Sequence, residues 1–324
     1  MIAYDSRPMS LRSASLVLLL AACATPKDSA SAGSPKAAPK DSTAHVVPLA
    51  QLPEAQKRVL TAYARGGDEW EREREDVLAD PALTSFLVDN LIVEMVRAHA
   101  GLTGAEPARS RRAFDRAVNE LVRVGEPSLP QLVGLLEVSD GIVSALASYT
   151  LRQLGKPAAL AVEPLLDSPN TETRRRAAAV LEKLPHTADN EPELRKRLVR
   201  LALSDPEWLV RAEAAQTLGS RGHNDRVSEP WRKALEECLF DSDPAVADAA
   251  ARGLTTLGDA RAIPALINSL ERTAQAGNLR VFKATQTALR ALSAGQVQPD
   301  VAAWRKWWDE HRVEIEKGRV PGRQ

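Results

Sequence analysis

Residues 243–270 read DPAVADAAARGLTTLGDARAIPALINSL, and this stretch decides the fold because its pattern can be laid over five other segments of the chain. Val246, Ala250 and Leu254 fall at i, i+4 and i+8, with Ala251 and Leu257 beside them, which is one apolar stripe at helical period. Asp243 followed by Pro244 starts that helix: a carboxylate caps the free amide donors, and proline has no N–H to lose at the first helical position. Gly258 ends it, since glycine adopts the left-handed conformation after a helix without steric cost. Asp259 caps the next helix, where Ile263, Leu266, Ile267 and Leu270 repeat the i, i+3, i+4, i+7 stripe. Both helices thus have an apolar face that one hairpin cannot cover, and neighbouring copies must cover it.

With Leu254 as anchor, the counterparts are Leu121, Leu151, Leu181, Leu218 and Leu289, separated by 30, 30, 37, 36 and 35 residues. Four positions before each stand Ala117, Ala147, Ala177, Ala214, Ala250 and Thr285, a small residue where two helices approach closely. Eight before stand Ala113, Val143, Thr173, Val210, Val246 and Val281. Four after stand Gly125, Gly155, Pro185, Gly222, Gly258 and Ser293. Several columns in register define a repeat.

Three segments carry a family resemblance: LGDARAIPAL (257–266), DPEWLVRAEAAQTLG (205–219) and VGEPSLPQLVGLL (124–136). They resemble HEAT repeats, or the HEAT-like repeats of the bilin-lyase type, over roughly residues 113–312. The resemblance implies an all-α chain, an α-solenoid of about six helical hairpins with an N-terminal helical cap. For function it implies a scaffold more than an enzyme. Asp205, Arg211 and Arg174 match positions that form ladders between adjacent HEAT repeats, and Ala247 with Asp248 breaks the series in the fifth copy.

The 324 residues are 44% hydrophobic but only 4% aromatic, which suits a core of small and aliphatic side chains. Lys+Arg and Asp+Glu number 43 each. Residues 1–22 contain Arg7, Arg12 and Asp5, so the remainder is nearly neutral and lacks the basic footprint that nucleic-acid binding needs.

Arg7 and Arg12 precede the apolar run Leu16–Ala22, followed at once by Cys23. Seven apolar residues are far short of the roughly 20 that span a bilayer, so the run reads as a signal-peptide core. Leu20-Ala21-Ala22-Cys23 is similar to the bacterial lipoprotein signal, which implies acylation at Cys23; a plain secretory signal with a coincidental cysteine is the alternative. Met9 is an equally good start. Several acyl chains would anchor the chain firmly in a bilayer, and Ala24 after the cysteine favours the outer membrane, facing the periplasm. The Ala-, Ser-, Pro- and Lys-rich stretch up to residue 47 reads as a disordered tether, about 22 flexible residues spanning on the order of 25 Å.

Residues 48–112 look helical without a copy of the repeat. Pro53 to Ala64 predicts a short helix ending at Gly66-Gly67. DEWERERED (68–76) is either a solvated helix face with internal ion pairs or a docking surface. Asp80-Pro81 opens a strongly buried helix. The region reads as an N-terminal cap on the first repeat, or as a separate small domain. Residues 101–112, with Arg109, Arg111 and Arg112, read as a solvated loop. The repeats run over 113–316, with a tail at 317–324. Trp304, Trp307 and Trp308 share one helix face, which either binds a partner or closes the end of the core.

No catalytic pattern stands out. The five histidines have no metal-ligand partner at i+3 or i+4, and no His-Glu dipeptide of the kind that holds iron in some HEAT-repeat enzymes occurs. No phosphate loop, dinucleotide fingerprint or nucleophile elbow is present. Cys238, between Leu235 and Leu239, reads as a buried small hydrophobe. The chain is therefore read as a monomeric, non-enzymatic, lipid-anchored scaffold of the bacterial cell envelope that uses no cofactor or metal and binds another envelope protein. Trp231, Arg232 and Glu236, varied side chains on a second helix of an Ala/Leu-rich unit, are its candidate partner contacts. An envelope enzyme with an unrecognised carboxylate site, or a purely structural envelope protein, are the competing readings.

Overall fold

A computed structural model describes residues 49–184, 191–222 and 229–322, and among them every regular element is helical. The α-solenoid class read from the repeat is what these residues form. The chain divides into two compact units at Ala161/Val162. Cys23 and the tether lie outside the described residues, as does Pro185.

In the first unit, α1 (Glu54–Arg65) stops at Gly66, whose φ is 70°, and α2 (Gly67–Ala79) follows directly. Asp80 caps α3 (Pro81–Ala100) by accepting from the amides of Ala82 at 2.8 Å and Leu83 at 3.3 Å. Leu87, Leu91, Ile92 and Met95 bury its apolar face. α4 (Pro107–Val124) packs along α3. It begins six residues earlier than the repeat pattern alone suggested. Pro107 supplies a preset φ at the first helical position, so Arg109, Arg111 and Arg112 lie on an exposed helix turn and not in a loop. The charged segment 68–76 is also more than a solvated face. Arg74 of α2 reaches Glu120 of α4 at 2.8 Å and Arg123 reaches Glu71 at 2.5 Å, forming an ion-pair seam between two helices. After the Gly125 turn come α5 (Leu129–Gly134) and α6 (Gly141–Leu154), which Asp140 caps, and the unit ends within α7 (Lys156–Val162).

The second unit contains α8 (Thr171–Glu182), α9 (Glu191–Ser204), α10 (Trp208–Gly222), α11 (Glu229–Cys238), α12 (Pro244–Leu257), α13 (Ile263–Gln275), α14 (Leu279–Leu292) and α15 (Val301–Glu316). The first helices of successive hairpins, α8, α10, α12 and α14, lie side by side in one layer, and α9 pairs with α11 and α13 with α15 on the other side. The register explains the layer. Across the two units all six anchor leucines are completely buried, as are Ala117, Ala147, Ala177, Ala214, Ala250 and Thr285 four positions before them. Each leucine contributes about 1.5–3 kcal/mol by leaving water, while the small residue lets the neighbouring helix approach.

The approach is closest between α10 and α12. A Cβ on Gly219 would stand 2.4 Å from the Cα of Gly253, so these two helices touch backbone to backbone. Gly222 serves the same purpose and not the turn read from its column: it stays helical, and a Cβ there would lie 2.8 Å from Trp231 Cγ. Gly125, Gly155 and Gly258 do take positive φ at helix ends.

Arginine ladders link the hairpins. Arg174 forks onto Asp205 at 2.7 and 3.0 Å, and Arg211 onto Asp241 at 2.8 and 2.9 Å. Each also donates to a carbonyl of the loop preceding its own helix. Burial pushes the Asp241 carboxyl up, but the hydrogen bonds and charge of Arg211, with the Asp243 amide and the Ser242 hydroxyl, together outweigh it and hold it below the usual carboxylate range. The series stops at Ala247, as the sequence indicated. There Arg272 of α13 binds the carbonyls of Leu239 and Phe240 instead. In α15, Trp304 and Trp307 are buried edge to face at 5.9 Å and His311 stacks on Trp307, with Trp308 half-buried.

Candidate binding groove

One face of the α8–α10–α12–α14 layer is packed and the other is open. In the repeat register the open positions are nine, six, five and two before the anchor and one or two after it. In α12 and α14 they supply Asp248, Arg252, Thr255 and Thr256, and Arg280, Lys283 and Thr287, which line a groove of about 560 Å³ between the two helices. The contact between this pair lacks the two glycines of its neighbour: in the repeat register Thr255 of α12 stands where α10 has Gly219, and Ala288 of α14 where α12 has Gly253.

Asp248 is buried at the floor, its side chain 5% exposed. Its Oδ2 accepts from Arg280 Nε at 3.0 Å and Nη2 at 2.8 Å, and lies 2.9 Å from Arg252 Nη2. An isolated buried carboxylate is expensive, and two guanidinium groups offset that cost. Both arginines otherwise remain more than half exposed. Lys283 makes no ion pair among the described residues. Three cations therefore face one anion, leaving the groove two positive charges in surplus. Thr255, Thr256 and Thr287 donate their hydroxyl protons to carbonyls one turn earlier. Asp248 and Arg252 are i, i+4 and legible in the sequence; Arg280 lies 32 residues from Asp248, and only packing joins them.

The α8–α10 part of the same face is different. Glu172, Glu182 and Glu213 are matched by Arg175, Arg176 and Lys183. Burial raises Glu182, but hydrogen bonds from Lys183, Ser220 and Gln216 outweigh it and hold its carboxyl below the ordinary range. Glu213 is raised, chiefly by burial, with Arg175 3.7 Å away opposing and the neighbouring Glu182 reinforcing the shift.

The contacts read from the sequence need correction. Trp231 is fully buried, against Gly222 and under the Arg195 guanidinium 5.7 Å from its ring centre, so it offers nothing to a partner. Arg232 is held by Glu236 at 2.5 Å and by Asp259 at 3.3 Å, with both side chains a fifth exposed or less. The bulky, varied cluster marks where the gap beside the glycine helix face had to be filled. Cys238 is buried, donates to the Ala202 carbonyl, and burial pushes its thiol up to about 12, which leaves no thiolate to react. Among the described residues no group of three His, Cys, Asp or Glu is placed to hold a metal ion, and no helix is long and apolar enough to cross a membrane.

Residues 161–230 match the family model of HEAT repeats, and residues 246–272 that of the PBS lyase HEAT-like repeat. No curated protein matches the sequence. Among solved structures, the chain is similar to the complex of CpcE and CpcF of phycocyanin lyase from Nostoc sp. PCC7120, at 21% identity and a TM-score of 0.42 over 48% of this chain and 97% of that one. It is also similar to a structure of Kap95p with RanGDP, at 14% identity and a TM-score of 0.47 over 82% of this chain and 36% of that one.

Proposed function

We propose that the protein is a HEAT-repeat scaffold of the bacterial cell envelope, tethered to the outer membrane through an acylated Cys23, that binds another envelope protein on the open face of α8, α10, α12 and α14. One observation carries this reading: on that layer the anchor and its small partner are buried in every hairpin, while the outward positions change from copy to copy. A surface whose backbone is uniform and whose side chains vary is what a recognition face requires, with affinity concentrated in a few side chains. Lipidation at Cys23 rests on the Leu20-Ala21-Ala22-Cys23 pattern and confines such a complex to the membrane.

The test is crosslinking in intact cells followed by purification of the full-length protein, with Cys23→Ser and the face variant Lys183→Glu/Gln216→Glu in parallel. Both altered side chains are exposed. The expected result is one recurrent partner recovered in comparable amount, lost in the face variant, and a Cys23→Ser form released from the membrane fraction. Full recovery with the face variant would move the docking surface elsewhere. A membrane-bound Cys23→Ser form would overturn the lipid anchor.

A further inference from the structure

We propose that the groove between α12 and α14 is a binding site for a doubly charged oxyanion of the phosphate type, either free phosphate or the phosphomonoester headgroup of a lipid. The groove lies on the face proposed for protein binding, but the anion site stands on the groove's own residues and holds whether or not a protein docks there. Arg252, Arg280 and Lys283 converge on one groove from two helices, and Asp248 cancels only one of the three charges.

Asp248 also orients the cations. By holding Arg280 through Nε and Nη2 it fixes that guanidinium plane, and it draws Arg252 in through one Nη2, leaving Arg280 Nη1, and Nε and Nη1 of Arg252, for an incoming ligand. Guanidinium forks match the spacing of phosphate oxygens, and a fork already held in place loses less entropy on binding. The hydroxyls of Thr255, Thr256 and Thr287, which donate to their own helices, can turn to donate to a ligand once one is present. A monoanion would leave one surplus charge unmatched, whereas a dianion matches the groove. At about 560 Å³ the groove also has room for the group that carries the phosphate. The α8–α10 face, with equal numbers of acids and bases, has no such surplus.

Calorimetric titration of the full chain carrying Cys23→Ser with inorganic phosphate at about pH 8, where the dianion predominates, is the first arm. The second is flotation of the same protein with phosphatidylcholine vesicles with and without phosphatidic acid. Saturable phosphate binding that acetate at equal ionic strength does not reproduce supports the site and a soluble ligand. Flotation only with phosphatidic acid, without binding of free phosphate, supports the site and a lipid headgroup. In either arm Lys283→Gln, which breaks no ion pair among the described residues, should weaken binding about tenfold, and so should Arg252→Gln. Lys306→Gln on α15 should leave it unchanged. The proposal is overturned by the absence of binding in both arms, by equal binding of acetate, or by unaltered binding in Lys283→Gln and Arg252→Gln with circular dichroism showing both folded.

Discussion

The α10–α12 contact and the α12–α14 contact are built from the same repeat yet end in opposite surfaces. At the first, Gly219 and Gly253 bring the backbones together and no space is left. At the second, Thr255 of α12 and Ala288 of α14 stand in place of those glycines and a groove opens, lined by three cations and one buried carboxylate. The buried columns of the repeat are alike in both pairs. The fold therefore constrains only the inward half of each first helix, and one or two small residues decide whether neighbouring helices seal against each other or leave a site.

The largest way to disturb the comparison acts on what both contacts share. Leu254→Asp places a carboxylate at a fully buried anchor of α12, between the two contacts, and should cost more than about 4 kcal/mol. Thermal melting followed by circular dichroism should show loss of the second unit; unchanged melting would contradict the register. Next comes the difference itself. Gly219→Ala should cost about 1–3 kcal/mol by forcing α10 from α12, whereas Ala284→Leu in the open groove should stay within about 0.5 kcal/mol. Equal effects in chemical denaturation would erase the distinction.

Asp241→Asn tests the ladder and should cost about 1–2 kcal/mol at neutral pH. Because the folded Asp241 carboxyl lies below its unfolded value, the stability it contributes is present above the unfolded carboxylate pKa and is lost as pH falls through the folded one. The variant should accordingly flatten the acid limb of a stability-against-pH curve, and an unaltered limb would remove Asp241 from that account. The smallest effect is expected at Glu213. Its folded carboxyl is raised, so its contribution is favourable below the unfolded pKa and is lost as pH rises through the folded value. Glu213→Gln should be neutral or stabilising at pH 7 by less than about 1 kcal/mol, and a destabilised variant would show that the ionised form is needed.

Much of the fold was legible because it depends on local spacing. The anchor column, the small residues before it and the Asp243 cap all follow from helical periodicity, and the structure buries or bonds each as expected. The ladder was legible through Arg174, Asp205 and Arg211, and so was its interruption at Ala247. The site was not. Trp231, Arg232 and Glu236 stood out as large or charged residues among alanines, but the same signal arises where a core must be filled, and Trp231 fills one. Asp248 entered the sequence reading only as a break in the ladder, since its second partner comes from the next hairpin.

The sequence by itself determined the helices, their repeat register and the residues that face inward, because periodicity and capping act within a turn or two of chain. Only the tertiary structure decided that Gly222 packs against Trp231 instead of ending a helix by left-handed geometry, that segment 68–76 is docked on α4, and that Asp248 gathers Arg252 and Arg280 at one groove. Each of these depends on which side chain arrives from another helix and how closely, a distance that spacing along one chain does not contain.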